Sequence, residues 1–148
     1  MTISNATLSS DVFTTVRSVL VDAAIKVSYT NKEAQTKYKS ATVLAQYNDK
    51  SPSVPQIIIM PAGISEDNFK FGYSEGKKFI NINVECYYKT TKGVDELSDA
   101  VKVAIKDACE DGTIVGMDLV AISEDYAFVN PNDMKFHLKT LTLTFDRE

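Results

Sequence analysis

Residues that could bind a metal or act as a catalytic base are few in this chain, which contains one histidine and two cysteines. Cys86, Cys109 and His137 are far apart in the sequence and do not match the paired Cys-x-x-Cys or His-x-x-x-His spacings of zinc sites. Cys86 also falls in an alternating apolar run, where a buried core thiol is the commoner role. We therefore expect no metal site and no cofactor.

The sequence also shows no suitable pair of groups for nucleophilic or acid–base catalysis. A nucleophilic serine or cysteine needs a base within reach, and His137 lies between Phe136 and Leu138, where a structural histidine in a strand is the commoner case. Adjacent residues on a strand point to opposite faces, so neighbouring carboxylates do not form an acid–base couple by themselves. The sequence therefore predicts a protein that is not an enzyme. The neighbouring carboxylate pairs are Glu66-Asp67, Glu110-Asp111 and Glu124-Asp125.

The segment from Gly72 to Lys78 has the glycines and lysines of a phosphate-binding loop but not their spacing. Three residues separate Gly72 from Gly76, whereas the motif has four, and Lys78 occupies the position of the required serine or threonine. A strand rather than a helix is predicted next, so the helix N-terminus that would bind the phosphate is missing. We reject a nucleotide site.

The 148-residue chain is acidic, with a formal net charge of -4. This charge disfavours binding to the phosphate backbone of a nucleic acid, which needs a basic face. We interpret the basic spots at Lys37/Lys39 and Lys77-Lys78 as solvated strand ends. The sequence contains neither a secretory signal nor an apolar run of the ~20 residues that a membrane helix needs. We expect one soluble domain over residues 1–148 with a flexible tail at 1–8, made in a reducing cytoplasm and without a membrane partner.

Hydrophobic periodicity predicts two helices, over residues 11–25 and about 94–110. In the second, Asp95 and Glu96 lie near the start and Asp111-Gly112 supplies the stop. The first contains several poor helix formers, so we expect it to pack on a sheet. The predicted buried faces are Phe13, Val16 and Leu20 in the first helix and Leu97, Val101 and Ile105 in the second.

The remaining segments read as strands. Residues 26–60 contain two or three, the last from Gln56 to a stop at Pro61. Near the C-terminus, Leu119 to Ile122 is a strand that Tyr126 to Val129 extends. The clearest strand covers 79–89, with one buried phase formed by Ile80, Ile82, Val84, Cys86 and Tyr88.

The last predicted strand, residues 134–145, changes phase along its length. Its early apolar residues lie on one parity and its late ones on the other. Two explanations stay open: a bulge near Lys139-Thr140, or cover on both faces at different ends. The early apolar residues are Phe136 and Leu138, and the late ones are Leu141, Leu143 and Phe145.

Residues 62–78 form the most unusual stretch, because loops longer than about a dozen residues are uncommon in compact domains and are often functional. Phe69, Phe71 and Tyr73 share one parity, so an extended arm would present all three on one face. We consider two hypotheses: an aromatic interface on an arm, or a long hairpin whose aromatic residues pack back on the core.

Together these elements predict an α+β fold with one mostly antiparallel sheet, two helices packed on it and a long hairpin arm. This order resembles the tail terminator (tail completion) proteins of long-tailed bacteriophages. The stretches that carry the resemblance are the helix from Asp11, Val54-Pro55-Gln56-Ile57-Ile58-Ile59, Phe79 to Tyr88 with Lys92-Gly93 and the Leu97–Ala108 helix, and Phe136 to Phe145.

The resemblance implies a virion protein that forms a homo-oligomeric ring, usually a hexamer, and ends tail-tube growth. Its partners would be the tail tube protein and a head-side neck or connector protein, with DNA only as passing cargo. The polar phase of the strand at 79–89, formed by Asn81, Asn83 and Glu85, could line the lumen, although plain solvent exposure explains it equally well. Two alternatives remain: a head–tail adaptor or tube subunit, and a small α+β ligand-binding domain or enzyme.

Overall fold

The computed structural model of the protein describes residues 8–44, 55–67, 77–129 and 136–147. This part of the chain contains two helices and seven strands. In chain order they are α1 (Leu8–Asp22), β1 (Lys26–Thr30), β2 (Thr36–Ser40), β3 (Thr42–Leu44), β4 (Gln56–Asp67), β5 (Lys77–Tyr88), α2 (Thr91–Glu110), β6 (Met117–Val129) and β7 (Phe136–Arg147).

Five of the strands form one sheet in the order β3-β4-β5-β7-β6, and β1 and β2 form a separate antiparallel hairpin. Only β3 runs parallel to its neighbour; the other pairs in the sheet are antiparallel. Both helices pack on the same face of the sheet, where the main hydrophobic core lies. The predicted α+β fold with two helices on a mostly antiparallel sheet is confirmed.

The first helix lies about one turn earlier than its periodicity predicts. Its buried face recurs every fourth residue at Leu8, Val12, Val16 and Leu20, whereas Phe13 is only half-buried. The helix ends at Asp22 because Ala24 adopts a left-handed conformation with φ of 50°. The predicted end at residue 25 is therefore wrong, and Leu8 belongs to the core rather than to a flexible tail.

The second helix has the predicted buried face but begins three residues before the predicted start. Thr90 caps it, because its hydroxyl accepts a hydrogen bond from the Gly93 amide at 3.1 Å. Asp95 and Glu96 consequently lie beyond the first turn. Leu97, Val101 and Ile105 are buried, as predicted.

Strand β4 does not stop at Pro61, so that predicted boundary is wrong. It continues to Asp67 through a β-bulge between Pro61 and Gly63, and Gly63 takes a φ of 126° that other residues rarely adopt. Proline is tolerated there because β3 pairs with β4 only as far as Ile58, which leaves this part of β4 at an edge. Residues 62–67 and 77–78 of the predicted loop 62–78 therefore belong to the paired strands β4 and β5.

The last two strands settle both questions that the sequence left open at the C-terminus. The pairing of β7 with β5 is continuous past Lys139 and Thr140, so the phase change is not a bulge. Each face of β7 is instead covered at a different end, Leu138 by one cluster and Leu141 by the main core. The extension of the preceding strand is confirmed, since β6 is continuous apart from an irregularity between Leu119 and Ala121.

Candidate functional site

The two thiols have the properties of core residues rather than nucleophiles. Cys86 is fully buried among the residues of the predicted core phase, and burial raises its pKa to about 12. Burial also raises the pKa of Cys109. Since the thiolate is the reactive form, neither cysteine is activated near neutral pH.

His137 lies on β7, between β5 and β6, where it is half-buried against aromatic rings. One ring nitrogen, Nδ1, is hydrogen-bonded to the Tyr126 hydroxyl, and the ring of Phe128 meets the imidazole edge-on with centroids 5.2 Å apart. The Tyr126 hydroxyl lies 3.3 Å from the Thr91 hydroxyl at the start of α2. These contacts give the histidine a structural role. Within the described ranges, no three or more His, Cys, Asp and Glu side chains are grouped to hold a metal ion.

The neighbouring carboxylates Glu124 and Asp125 point to opposite faces of β6, as alternation predicts. Glu124 lies under α2, with one oxygen 2.6 Å from Lys102 Nζ and the other 3.5 Å from Lys139 Nζ. The hydrogen bond from Lys102 holds the pKa of Glu124 below its usual range. This ion pair fastens α2 to the sheet, so Glu124 is not poised as a general acid.

No described helix covers the face of the sheet away from α1 and α2, which we name the open face. The centre of this face is polar and half-buried. The Thr142 hydroxyl donates to Asn83 Oδ1 at 3.0 Å, and the Thr144 hydroxyl donates to Asn81 Oδ1 at 2.8 Å. Beside them the Tyr87 hydroxyl donates to Glu85 Oε2 at 2.8 Å. The structure thus brings the three polar residues predicted on this strand into one half-buried ladder.

One end of the same open face is apolar, and sequence reasoning missed it. A second, smaller cluster lies there, in which Ile58, Tyr87 and Phe136 are buried. The register of β4, β5 and β7 brings these residues together from three distant segments. In the sequence, the only sign of this cluster was the shared parity of Phe136 and Leu138. The half-buried members are Leu44, Met60 and Leu138.

A cleft of about 450 Å³ lies between the β1–β2 hairpin and the end of β5, just before α2 begins. We name it the tyrosine cleft; its lining is Tyr29, Tyr38, Tyr88, Lys39 and Lys89. Tyr88 is only 4% exposed, while Tyr38 is 68% exposed on a strand whose five residues all face solvent. Burial, together with the Glu96 carboxylate and Tyr29, raises the pKa of Tyr88.

Gly93 creates the space that the Tyr88 ring occupies. A Cβ atom at position 93 would lie 2.0 Å from Cδ1 and 2.5 Å from Cε1 of that ring. The hairpin side of the cleft is held by Glu96, which accepts hydrogen bonds from the Ser28 amide at 2.8 Å and the Ser28 hydroxyl at 2.6 Å. Lys37 and Lys39, interpreted from the sequence as solvated strand ends, are exposed. Tyr38, which lies between them, was the signal that could have revealed the cleft.

A second open cleft of about 450 Å³ lies at the other end of α2. We name it the acidic cleft, because its lining includes two carboxylates and Asp111 directly follows one of them in the sequence. Its lining is Lys106, Cys109, Glu110, Asp118 and Leu119. The carboxylates of Glu110 and Asp118 are exposed and form no ion pair with another described residue.

The predicted aromatic interface of Phe69, Phe71 and Tyr73 lies outside the described residues. Among the described helices, none is long and apolar enough to cross a membrane. Comparison with known proteins adds no family: no protein-family model matches the chain, and neither does any curated protein.

Proposed function

We propose that the protein is a structural virion subunit that forms a ring, ends tail-tube growth in a long-tailed bacteriophage and joins the tail to the head or neck. One observation carries the proposal: both helices pack on a single face of the sheet, and no described helix covers the open face. An open sheet face with a polar centre and an apolar end suits a surface that meets both solvent and protein.

The polar centre supports a lumen-facing role for Asn81, Asn83 and Glu85. The amides and the carboxylate are hydrogen-bonded to neighbouring hydroxyl groups rather than to lysine or arginine, so these three side chains offer no cation to a DNA phosphate. A conduit should let DNA pass without binding it.

The apolar end of the open face supports a protein contact. Leu44, Met60 and Leu138 remain half-buried around three buried neighbours, so a partner that covers them gains hydrophobic area. The tail tube and the head-side neck protein are the proposed partners. A ligand-binding domain is the second candidate, because the tyrosine cleft gathers hydroxyl and ammonium groups in one concave place.

Electron microscopy of the purified protein tests the proposal. Negatively stained protein should show rings, and mixing it with tail tubes should place a ring at one tube end and stop further growth. A protein that stays monomeric and leaves tube growth unchanged would overturn the proposal. A tightly bound small molecule in the monomer would favour the second candidate.

The aromatic interface predicted from the sequence has its own test. Replacing Phe69, Phe71 and Tyr73 together with serine should leave a folded protein that no longer forms rings or joins tails. Circular dichroism and a sizing column separate this result from loss of folding, which would place the three rings in the core.

A further inference from the structure

The two ends of α2 carry charges of the same sign as the helix dipole. The first turn contains Lys92 and no acidic residue, and the last turn contains Asp107 and Glu110 and no basic residue. The dipole is positive at the N-terminus and negative at the C-terminus, so the side chains in both terminal turns are repelled. This repulsion would be reduced by charged groups from outside the helix, negative ones at its N-terminus and positive ones at its C-terminus.

The N-terminal end of α2 is part of a basic, tyrosine-lined surface. Residues 26–40, which form the adjoining hairpin, contain four lysines and one glutamate. Tyr88 is more than nine-tenths buried in the tyrosine cleft, yet its hydroxyl has no hydrogen-bond partner among the described residues. The Tyr88 hydroxyl lies at the wall of this cleft, where it can donate a hydrogen bond to a polar group that enters from outside.

The C-terminal end of α2 has the complementary character. Residues 106–118 contain four carboxylates and one lysine. Because α2 has 20 residues, the two ends lie about 30 Å apart. One subunit therefore presents a basic and an acidic surface at opposite ends, and the two cannot satisfy each other within the same chain.

We infer that the tyrosine cleft receives the acidic end of a second copy of this chain, with carboxylates such as Glu110 and Asp118 placed against Lys39, Lys89 and the Tyr88 hydroxyl. This arrangement aligns the α2 dipoles of successive subunits head to tail. A contact between two different surfaces of one protein is heterologous, and repeating it closes a ring when the rotation permits. The inference rests on the proposed ring and identifies its subunit contact.

Charge reversal on each side tests the contact. One variant carries Lys39→Glu with Lys89→Glu, and the other carries Glu110→Lys with Asp118→Lys. All four side chains are exposed, so both variants should fold normally by circular dichroism. Each alone should self-associate at least about tenfold more weakly than the wild type in sedimentation equilibrium, because like charges would face each other.

An equimolar mixture of the two variants provides the decisive measurement. The first variant keeps its acidic end and the second keeps its tyrosine cleft, so the mixture should form complexes that neither variant forms alone. Native mass spectrometry should show both chains in each complex. Arg17→Glu and Asp22→Lys, exposed changes on α1, serve as controls and should self-associate like the wild type.

The outcomes separate this inference from the proposed function. If the wild type forms rings and either reversed variant forms them equally well, the contact is elsewhere, and the ring proposal stands without it. A mixture of the folded variants that stays monomeric also rejects the contact. If the wild type itself never self-associates, alone or on tail tubes, both the ring and the contact are wrong.

Discussion

Gln56 is the buried polar side chain with the clearest energetic cost. It is fully buried, and neither of its amide atoms has a hydrogen-bond partner among the residues that the structure describes. An unsatisfied buried polar group costs about 1–3 kcal/mol. Gln56→Met keeps the length of the side chain and removes that cost, so it should raise the free energy of unfolding by about 1–2 kcal/mol in chemical denaturation.

Gln35→Met is the matched control for that prediction. The Gln35 amide is exposed and its oxygen accepts a hydrogen bond from Asn31 Nδ2 at 3.3 Å, so its replacement offers no comparable gain. If Gln56→Met destabilised the protein, the buried amide would have a partner in solution and the assignment of an unsatisfied group would be wrong.

Gly93 is a helix residue whose size is limited by a neighbouring side chain. Alanine is normally better than glycine inside a helix by about 1 kcal/mol, but here its Cβ would meet the Tyr88 ring at 2.0 Å. Gly93→Ala should therefore destabilise the protein by about 1–3 kcal/mol. In a Tyr88→Val background the obstructing ring atoms are absent, so the same change should become neutral or stabilising. An equal cost in both backgrounds would contradict the steric explanation.

At the scale of the element, α2 owes its stability to one buried stripe. Val101 is fully buried, whereas Val103, on the same helix, is 50% exposed. Val101→Ala should lower the free energy of unfolding by about 2 kcal/mol, and Val103→Ala should change it by less than about 0.5 kcal/mol. Equal losses in urea denaturation would mean that the assigned face of α2 is wrong.

The β1–β2 hairpin is joined to α2 by a group that titrates. The hydrogen bonds from Ser28 hold the pKa of Glu96 below its ordinary value of 4.5. A depressed pKa in the folded state contributes stability above the unfolded pKa, and that contribution is lost as the pH falls through the folded value. Acidification to below the ordinary value of 4.5 should therefore loosen the hairpin.

The Ser28 amide provides the measurement for that prediction. Its NMR shift and hydrogen exchange should change along this acid titration in the wild type, with a midpoint below 4.5. The step should be absent in Glu96→Gln and unchanged in Glu33→Gln, which alters a carboxylate in the hairpin turn. A Ser28 titration that survives in Glu96→Gln would show that another group holds the hairpin.

Periodicity was enough to predict the buried faces of these elements but not their ends. Leu97, Val101 and Ile105 follow the helical repeat, which depends only on local sequence. The start of α2 depends on the Thr90 cap and on the clearance between Gly93 and a strand residue, which is a tertiary contact. A hydrophobic repeat in the sequence does not predict helix boundaries that depend on such contacts.

At the scale of the whole molecule, the same distinction separates the predicted and the missed parts of the candidate site. The polar ladder of Asn81, Asn83 and Glu85 follows from the alternation of one strand. The apolar cluster and the tyrosine cleft combine segments that only the sheet register and the docking of the hairpin bring together. Their residues resemble ordinary strand residues until the fold places them side by side.

The open face allows a final prediction about the proposed ring. Asn83→Lys combined with Glu85→Lys adds positive charge to the proposed lumen, while rings should still form if this face meets only solvent and DNA. Wild-type rings should release double-stranded DNA, and the variant rings should retain it at low salt and lose it at high salt. Retention should be restricted to linear DNA, because a closed circle has no end to thread through a preformed ring.

Asp99→Lys with Val103→Lys adds the same charge to the exposed side of α2 and is the control. Any DNA that it binds lies outside the lumen, so linear and circular forms should bind alike. If the open-face variant also held both forms equally, this face would lie on the outer surface of the ring. If it folded but formed no rings, Asn83 and Glu85 would belong to a subunit contact, because added charge disrupts a packed interface but not a water-filled channel.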